Sequence, residues 1–344
     1  MHLHSKRYLL ILIVTAVVVQ VHFVDESHAT TKRKTQLTCP VCEERFDDFV
    51  LMSTNTFGGQ DRDFLSRASG DQPVLIYPKT CPQCLYSGYP DDFKAVSDAI
   101  KEQILQKGAL KPMIQISQES KSSEIPASIK YDLIAQTYRL RAKPEKTIAQ
   151  QFLSASWATR IEARVPLAIL DKKISKKVHQ WQSNRWKREE AAKHRNRVLY
   201  QIQNARGYIE AAKSSEGEEK LIATLAAIVT FRSYGENTEA QKALPILKKI
   251  IPNKQFSDFE KHLNESIARE RHFQMKALLL FEKVVQTEED KKEKACFTYL
   301  CGELHRRLEN WDKARKYYME CLKIDGCPGW LAKWVKEQRE LLPN

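Results

Sequence analysis

The pattern of apolar and polar positions changes character several times along the chain. An unbroken apolar run fills residues 8–19, preceded by Lys6 and Arg7 and extended loosely by Val21, Phe23 and Val24. Residues 49–54 and 74–77 are short β-branched and aromatic runs bounded by Gly- and Pro-containing segments at 57–60 and 69–73, which predicts two strands. Phe93, Val96, Ile100 and Ile104 then recur at helical spacing. With Asp91 or Asp92 as cap and Gly108 as stop, they predict one helix. A polar stretch at 117–124 marks a boundary. From Ser128 onward strand signals nearly vanish.

Three helical hairpins are legible in that remainder. The clearest is 295–326, where Gly302, Ala314, Tyr318 and Cys321 fall where a tetratricopeptide repeat of about 34 residues wants Gly, Ala, an aromatic and Ala. Small residues at Gly302 and Ala314 let two helices approach, Tyr318 fills the groove between them, and Glu309-Asn310 supplies the turn. Residues 221–252 fit the same frame less well: Phe231, Ala240, Leu244 and Pro252 match, but Ile228 stands where Gly is preferred. Residues 131–157 give a looser third hairpin. The last helix, 330–342, sets Trp330, Trp334 and Leu341 near one face and caps the stack. The alternative is a generic helical bundle with one fortuitous match.

Cysteine spacing carries the chemistry. Cys39 and Cys42 lie in Cys-Pro-Val-Cys, Cys81 and Cys84 in Cys-Pro-Gln-Cys, with 38 residues between the pairs. Two residues between thiolates let one tight turn place both sulfurs on an edge of a zinc tetrahedron. Proline fixes a dihedral of the turn, and the following amides can point at the sulfurs. Two such turns close the coordination of a structural Zn2+, leaving no open position. Structural disulfides and a redox dithiol are the rival readings, but no thioredoxin-like βαβ pattern accompanies the motifs. Of the other cysteines, Cys296, Cys301, Cys321 and Cys327 lie in the last hairpin, with Cys301 and Cys321 expected as core neighbours.

The expected fold class is α+β: a small zinc-ribbon-like N-terminal domain followed by an all-α, tetratricopeptide-like helical-repeat domain. The divisions are a signal peptide or membrane anchor at 1–29, a basic linker at 30–38, the zinc-ribbon-like domain with its trailing helix at 39–110, a linker at 111–127, and the helical domain at 128–344. Thr38-Cys-Pro-Val-Cys together with Tyr77-Pro-Lys-Thr-Cys-Pro-Gln-Cys-Leu-Tyr resembles a bacterial family known only as a domain of unknown function (DUF 2225). Gln60-Asp-Arg-Asp-Phe and Tyr131-Asp-Leu-Ile-Ala-Gln-Thr-Tyr are similar to its pattern as well. The resemblance implies a split pair of Cys-Pro-X-Cys turns ahead of tetratricopeptide-like helices, and it implies no reaction. Leu85 departs from the pattern, which favours Gly after the final cysteine.

Charge and targeting signals alter the picture only locally. The small residues at Ser27 and Ala29 suit signal-peptidase cleavage, so export to a periplasmic or extracytoplasmic compartment is expected, with an uncleaved anchor as the alternative. Much of the net charge of +13 sits in residues 171–197, where ten Lys or Arg meet three acids and Trp181 and Trp186 are interleaved. Lys172, Lys173, Lys176, Lys177, Arg185 and Arg188 could neutralise phosphates of nucleic acid or an anionic membrane. The opposing reading is a solvated helix whose Ile174, Val178 and Trp181 stripe packs inward. Only 11 glycines argue against a dinucleotide-binding fold, and no nucleophile elbow, His-Glu-X-X-His or phosphate loop appears. The expectation is a non-enzymatic scaffold that binds protein, with a nucleic-acid-binding protein second and a thiol–disulfide oxidoreductase third.

Overall fold

A computed structural model describes residues 30–117, 119–162, 172–185 and 197–343. The expected signal or anchor segment, and Trp186 and Arg188 of the basic stretch, lie outside them. The basic stretch expected as a linker is instead a strand, β1 (Thr31–Thr38), paired antiparallel with β2 (Arg45–Ser53). Two-residue strands β3 (Gly59–Gln60) and β4 (Ser66–Arg67) pair with each other farther along. The strand expected at 74–77 is a helical turn, α1 (Pro73–Ile76). Pro73 occupies its first position, where the missing N–H costs nothing, and Val74 and Ile76 are buried. A run of four apolar residues cannot reveal its period, which is why the strand reading was open to this error.

Strands β5 (Lys79–Thr80) and β6 (Ser87–Gly88) frame the second cysteine turn. The helix expected after it is broken into a 3-10 turn, Pro90–Phe93, and α2 (Asp98–Leu105). Its apolar stripe is nevertheless used: Phe93 and Ile104 are buried and Val96 and Ile100 pack beside them. The expected linker is not a passive spacer either, since it contains a 3-10 turn, Ser122–Glu124, with Ser122 and Ile125 buried.

The remainder is helical: α3 (Ala127–Leu140), α4 (Glu145–Glu162), α5 (Lys172–Arg185), α6 (Arg197–Ser214), α7 (Gly217–Ser233), α8 (Asn237–Lys242), α9 (Leu244–Lys248), α10 (Asn253–Thr287), α11 (Lys291–Arg307), α12 (Trp311–Lys323) and α13 (Gly329–Arg339). Pro245 splits the second half of the 221–252 hairpin into α8 and α9. Helix α10, 35 residues and about 52 Å long, runs through two cores. Its first half packs Phe256, Phe259, Leu263 and Ile267 against α5 to α9. Its second half packs Phe273, Ala277, Leu278 and Phe281 against α3, α4 and α11. Among the described residues no helix is long and apolar enough to cross a membrane.

The last hairpin, α11–α12, brings Gly302 under the ring of Tyr318 as the small-residue argument requires. A Cβ at Gly302 would lie 2.6 Å from the Tyr318 ring. Cys301 and Cys321 are both buried but are not neighbours: Cys301 faces the main core, whereas Cys321 lies among Tyr299, Ala314 and Leu331 with Cys327 at 3.9 Å. Opposite faces of the hairpin account for the separation. In the basic helix α5, Val178 is buried and Ile174 and Trp181 pack beside it, with Trp181 edge-on to Tyr208 at 4.9 Å. Lys173, Lys176 and Lys177 are exposed, and Lys177 is paired with Glu218. The expected inward packing of the Ile174, Val178 and Trp181 stripe is therefore present in the described part of this helix.

Candidate metal centre

The two Cys-Pro-X-Cys segments fold into the same turn. In the first, the Cys39 amide donates to the Glu44 carbonyl at 2.8 Å and the Glu43 amide to the Cys39 carbonyl at 3.0 Å. In the second, the Cys81 amide donates to Tyr86 and the Leu85 amide to Cys81, both at 2.9 Å. Each turn ends on a left-handed residue, Glu43 at φ 62° and Leu85 at φ 64°. The departure noted at Leu85 is therefore one of residue type only. The backbone makes the turn that Gly would favour, and Leu85 bears the strain of its Cβ. Flanking strands hold both turns at their bases: Thr38 pairs with Arg45, and Thr80 with Ser87, whose hydroxyls are 2.8 Å apart.

These turns bring all four sulfurs within 4.8 Å of one another, a grouping that could hold a metal ion. Cys39 Sγ lies 3.5 Å from Cys84 Sγ, and Cys42 Sγ lies 3.6 Å from Cys81 Sγ. A tetrahedron with bonds of about 2.3 Å has edges of about 3.8 Å, so the spacing fits four thiolates around one ion. It does not fit bonded sulfurs, which sit about 2.05 Å apart. All eight cysteines, each among the described residues, are free thiols. The thiols also cannot ionise independently. Hydrogen bonds from Cys81 and Cys84, reinforced by the Cys42 and Val41 amides, hold the Cys39 thiol far below its usual range. The bond to Cys39 pushes both Cys81 and Cys84 up. A divalent cation would remove that conflict by accepting all four as thiolates.

Behind the sulfurs lies a compact apolar shell. Val41, Phe46, Tyr86 and Phe93 are buried, with Phe93 edge-on to Phe46 at 5.7 Å and to Tyr86 at 5.2 Å. Ile129 and Leu133 of α3 complete it, so the cysteine turns share their core with the helical region. Asp92 ties the same junction. Its carboxylate accepts from the Tyr89 amide, the Tyr138 hydroxyl and Arg141. The capping role expected of Asp92 is thus only part of what it does.

A larger polar feature escapes sequence reasoning. The segment between the cysteine pairs carries Asp61, Asp63 and Arg67 into the joint of the helical body, where all three are buried. Arg67 makes a two-pronged contact with Asp61 at 2.6 and 2.7 Å. Arg160 of α4 reaches Asp61, Asp63 and, through Nε at 2.9 Å, Glu270 of α10. Arg232 of α7 also bonds Glu270, and Arg307 of α11 bridges Asp63 and Glu303. Glu270 sits between Ile267 and Phe273, where α10 passes from one core to the other. Gly235 is needed here, because a Cβ would meet Arg307 Nη1 at 2.0 Å and φ is +76°. Phe64 anchors the same segment among Tyr299, Trp330 and Trp334, with ring centroids 5.5 to 6.0 Å away. The Gln60-Asp-Arg-Asp-Phe string enters the sequence analysis only through the family resemblance, and nothing in it names Arg160, Glu270 or Arg307 as partners.

A family model described as an uncharacterized protein conserved in bacteria (DUF2225) matches residues 33–275. The match takes in both cysteine turns, the buried Asp61–Arg67 pair and the first part of α10. Neither a curated protein nor a solved structure matches the sequence.

Proposed function

The chain belongs to the DUF2225 family, conserved in bacteria and of uncharacterised function, and from that premise and the four-thiol cluster we propose a non-enzymatic interaction scaffold held together by one structural zinc ion. The observation that carries the reading is the closed sulfur set, with edges of 3.5 and 3.6 Å. Four soft donors with no position left for water or substrate suit a fastener and not a Lewis acid. Cys39, Cys42, Cys81 and Cys84 are the ligands. The metal joins the β1–β2 turn to the β5–β6 turn and so closes the ends of the segment that threads the helical joint.

The helical body is the binding element of this reading, with tetratricopeptide-like hairpins and a protein as partner. The close seating of Gly302 beneath Tyr318, with buried Ala314 opposite, supports that kinship. Residues 8–24 are a signal or anchor that takes the chain to a membrane, and the folded part lies outside the cytoplasm.

Metal analysis by native mass spectrometry on protein recovered from its own compartment tests the central claim. One zinc per chain is expected, absent from a Cys39→Ser, Cys81→Ser variant. Iron in its place, visible as thiolate-to-iron absorption, would overturn the choice of metal. Metal-free protein with Cys39 oxidised to Cys84 would overturn the site. Binding to RNA or DNA that weakens steeply with salt would move the function to the nucleic-acid reading.

A further inference from the structure

The last hairpin holds a second pair of thiols in contact. Cys321 lies in the final turn of α12 and is fully buried, and Cys327 lies half-buried just ahead of α13. Their sulfurs are 3.9 Å apart. The turn between them is braced at both ends: the Ile324 amide donates to the Cys321 carbonyl at 3.3 Å, and the Cys327 amide to the Ile324 carbonyl at 3.0 Å. Gly326, at φ +83°, supplies the left-handed step that lets the chain turn back over the end of α12. The backbone itself therefore sets the two thiols against each other.

This pair differs from the four N-terminal thiols in what it can do. Among the described residues, only those four form a group of three or more metal-ligating side chains. Cys321 and Cys327 thus lack the further donors of a closed metal site. Two thiols in contact can instead be oxidised to a bond, which needs sulfurs about 2.05 Å apart. The remaining approach is shorter than the swing of a sulfur between two rotamers. Cys327 is the side chain placed to make it, being partly exposed and held otherwise by a weak 3.9 Å contact to the Pro328 carbonyl. The Cys321 thiol donates to the Ala295 carbonyl at 3.4 Å, and burial, then the neighbouring Cys327, push its ionisation up. Cys296 belongs to the same apolar cluster and is the competing partner, whereas Cys301 faces the other core.

We propose that Cys321 and Cys327 are a redox-active pair that closes to a disulfide by exchange with a small-molecule or protein disulfide, and that the bond fixes α13 on α12. The more exposed Cys327 reacts first. Its thiolate attacks one sulfur of the disulfide RSSR and expels RS−, which takes up the proton that Cys327 released. Cys321 then gives up its proton, attacks the Cys327 sulfur of the mixed disulfide and expels the second RS−, which leaves as RSH. Two thiols are oxidised, one RSSR is reduced and two RSH are formed. The bond acts through what α13 carries. Trp334 lies 5.8 Å from Phe64 of the segment between the N-terminal cysteine pairs, and Arg62 of that segment lies over the Trp334 ring at 4.5 Å and is ion-paired with Glu337. A covalent loop over residues 321–327 limits how far α13 can lift from α12, and with it how far this segment can leave its seat. The pairing holds whatever metal the N-terminal thiols bind.

Thiol mapping of the full chain tests it. The protein is equilibrated with mixtures of reduced and oxidised glutathione, and the remaining thiols are blocked with N-ethylmaleimide. Tryptic peptides are then read by mass spectrometry, with zinc content measured separately to report on the four N-terminal cysteines. Trypsin cuts after Lys323, so the bond appears as two joined peptides that have lost two hydrogens. Cys327→Ser should abolish it, and Cys296→Ser should leave it at the parent yield. Hydrogen exchange across residues 329–339 should be slower in the oxidised parent than in the reduced one, a difference lost in Cys327→Ser. A Cys296–Cys327 bond, glutathione retained on Cys327, or both thiols still alkylated in the most oxidising mixture overturns the pair. Exchange in α13 that does not respond to oxidation overturns the lock.

Discussion

Arg160 offers the sharpest test of how the molecule is held together. Its guanidinium is fully buried and bonded to Asp61 and Asp63 of the segment between the cysteine pairs and to Glu270 of α10, so it joins three separate stretches of the sequence. Arg160→Met keeps much of the volume and removes the charge. Removing one partner of a buried ion pair costs about 3–5 kcal/mol, because a charge is left without compensation. Here each carboxylate keeps another arginine: Asp61 keeps Arg67, Glu270 keeps Arg232, and Asp63 keeps Arg307 at 3.5 Å. The expected loss is therefore about 3–5 kcal/mol in total, not that figure three times over, and Asp63 with the most distant remaining partner dominates it. The acid dependence fixes the cause. Burial pushes the Asp63 and Glu270 carboxyls up, but Arg160 with Arg307, and Arg232 with Arg160, outweigh it and hold both below their usual range. A carboxyl with a lower pKa folded than unfolded contributes stability above the unfolded value, about 4, and loses it as pH falls through the folded value. Without Arg160 that contribution shrinks, so the gap between variant and parent is widest at neutral pH and narrows below about pH 4. Urea unfolding of both proteins at pH 7 and pH 3.5 measures it. A gap under about 1 kcal/mol at pH 7, or one that does not change with pH, would refute the reasoning.

Three further outcomes are expected. In Gly302→Ala the added methyl strikes a Tyr318 ring that cannot swing away without losing its 2.8 Å bond to Glu303. Overpacking of about 1–3 kcal/mol then outweighs the ~1 kcal/mol gain in helix propensity, whereas in a Tyr318→Ala background the same change should stabilise; thermal melts that show no such reversal would count against the packing argument. At Leu85, φ 64°, Gly and Ala both delete the side chain but only Gly relieves the backbone, so Leu85→Gly should exceed Leu85→Ala in stability by ~1 kcal/mol, and equal values would contradict the strain at that turn. Burial pushes the Lys79 ammonium down to about 8. The unfolded chain then binds more protons than the folded one between pH 8 and about 10.4, so this group makes stability rise with pH in that window; Lys79→Met should flatten the rise in urea titrations, and an unchanged slope would exclude Lys79 as its source.

The sequence by itself determined the local features. The Cys-Pro-X-Cys turns were legible because a two-residue spacing and a proline dictate one tight turn whatever surrounds it, and the structure brings their four sulfurs together. Gly302 and Tyr318 were legible for a similar reason, since small-against-large packing within one hairpin involves helices adjacent in the chain. Helical character beyond residue 128 followed from periodicity alone. Short elements were less secure: residues 74–77 are equally apolar as a strand or as one helical turn, and burial on the main core decided for α1. What only the tertiary structure decided is the joint. Asp61, Arg67, Arg160, Arg232, Glu270 and Arg307 are spread over nearly 250 residues, and each taken alone has the composition of a solvated surface. Their burial depends on long-range pairing, and a charge pattern along one chain does not encode which distant partner will neutralise it.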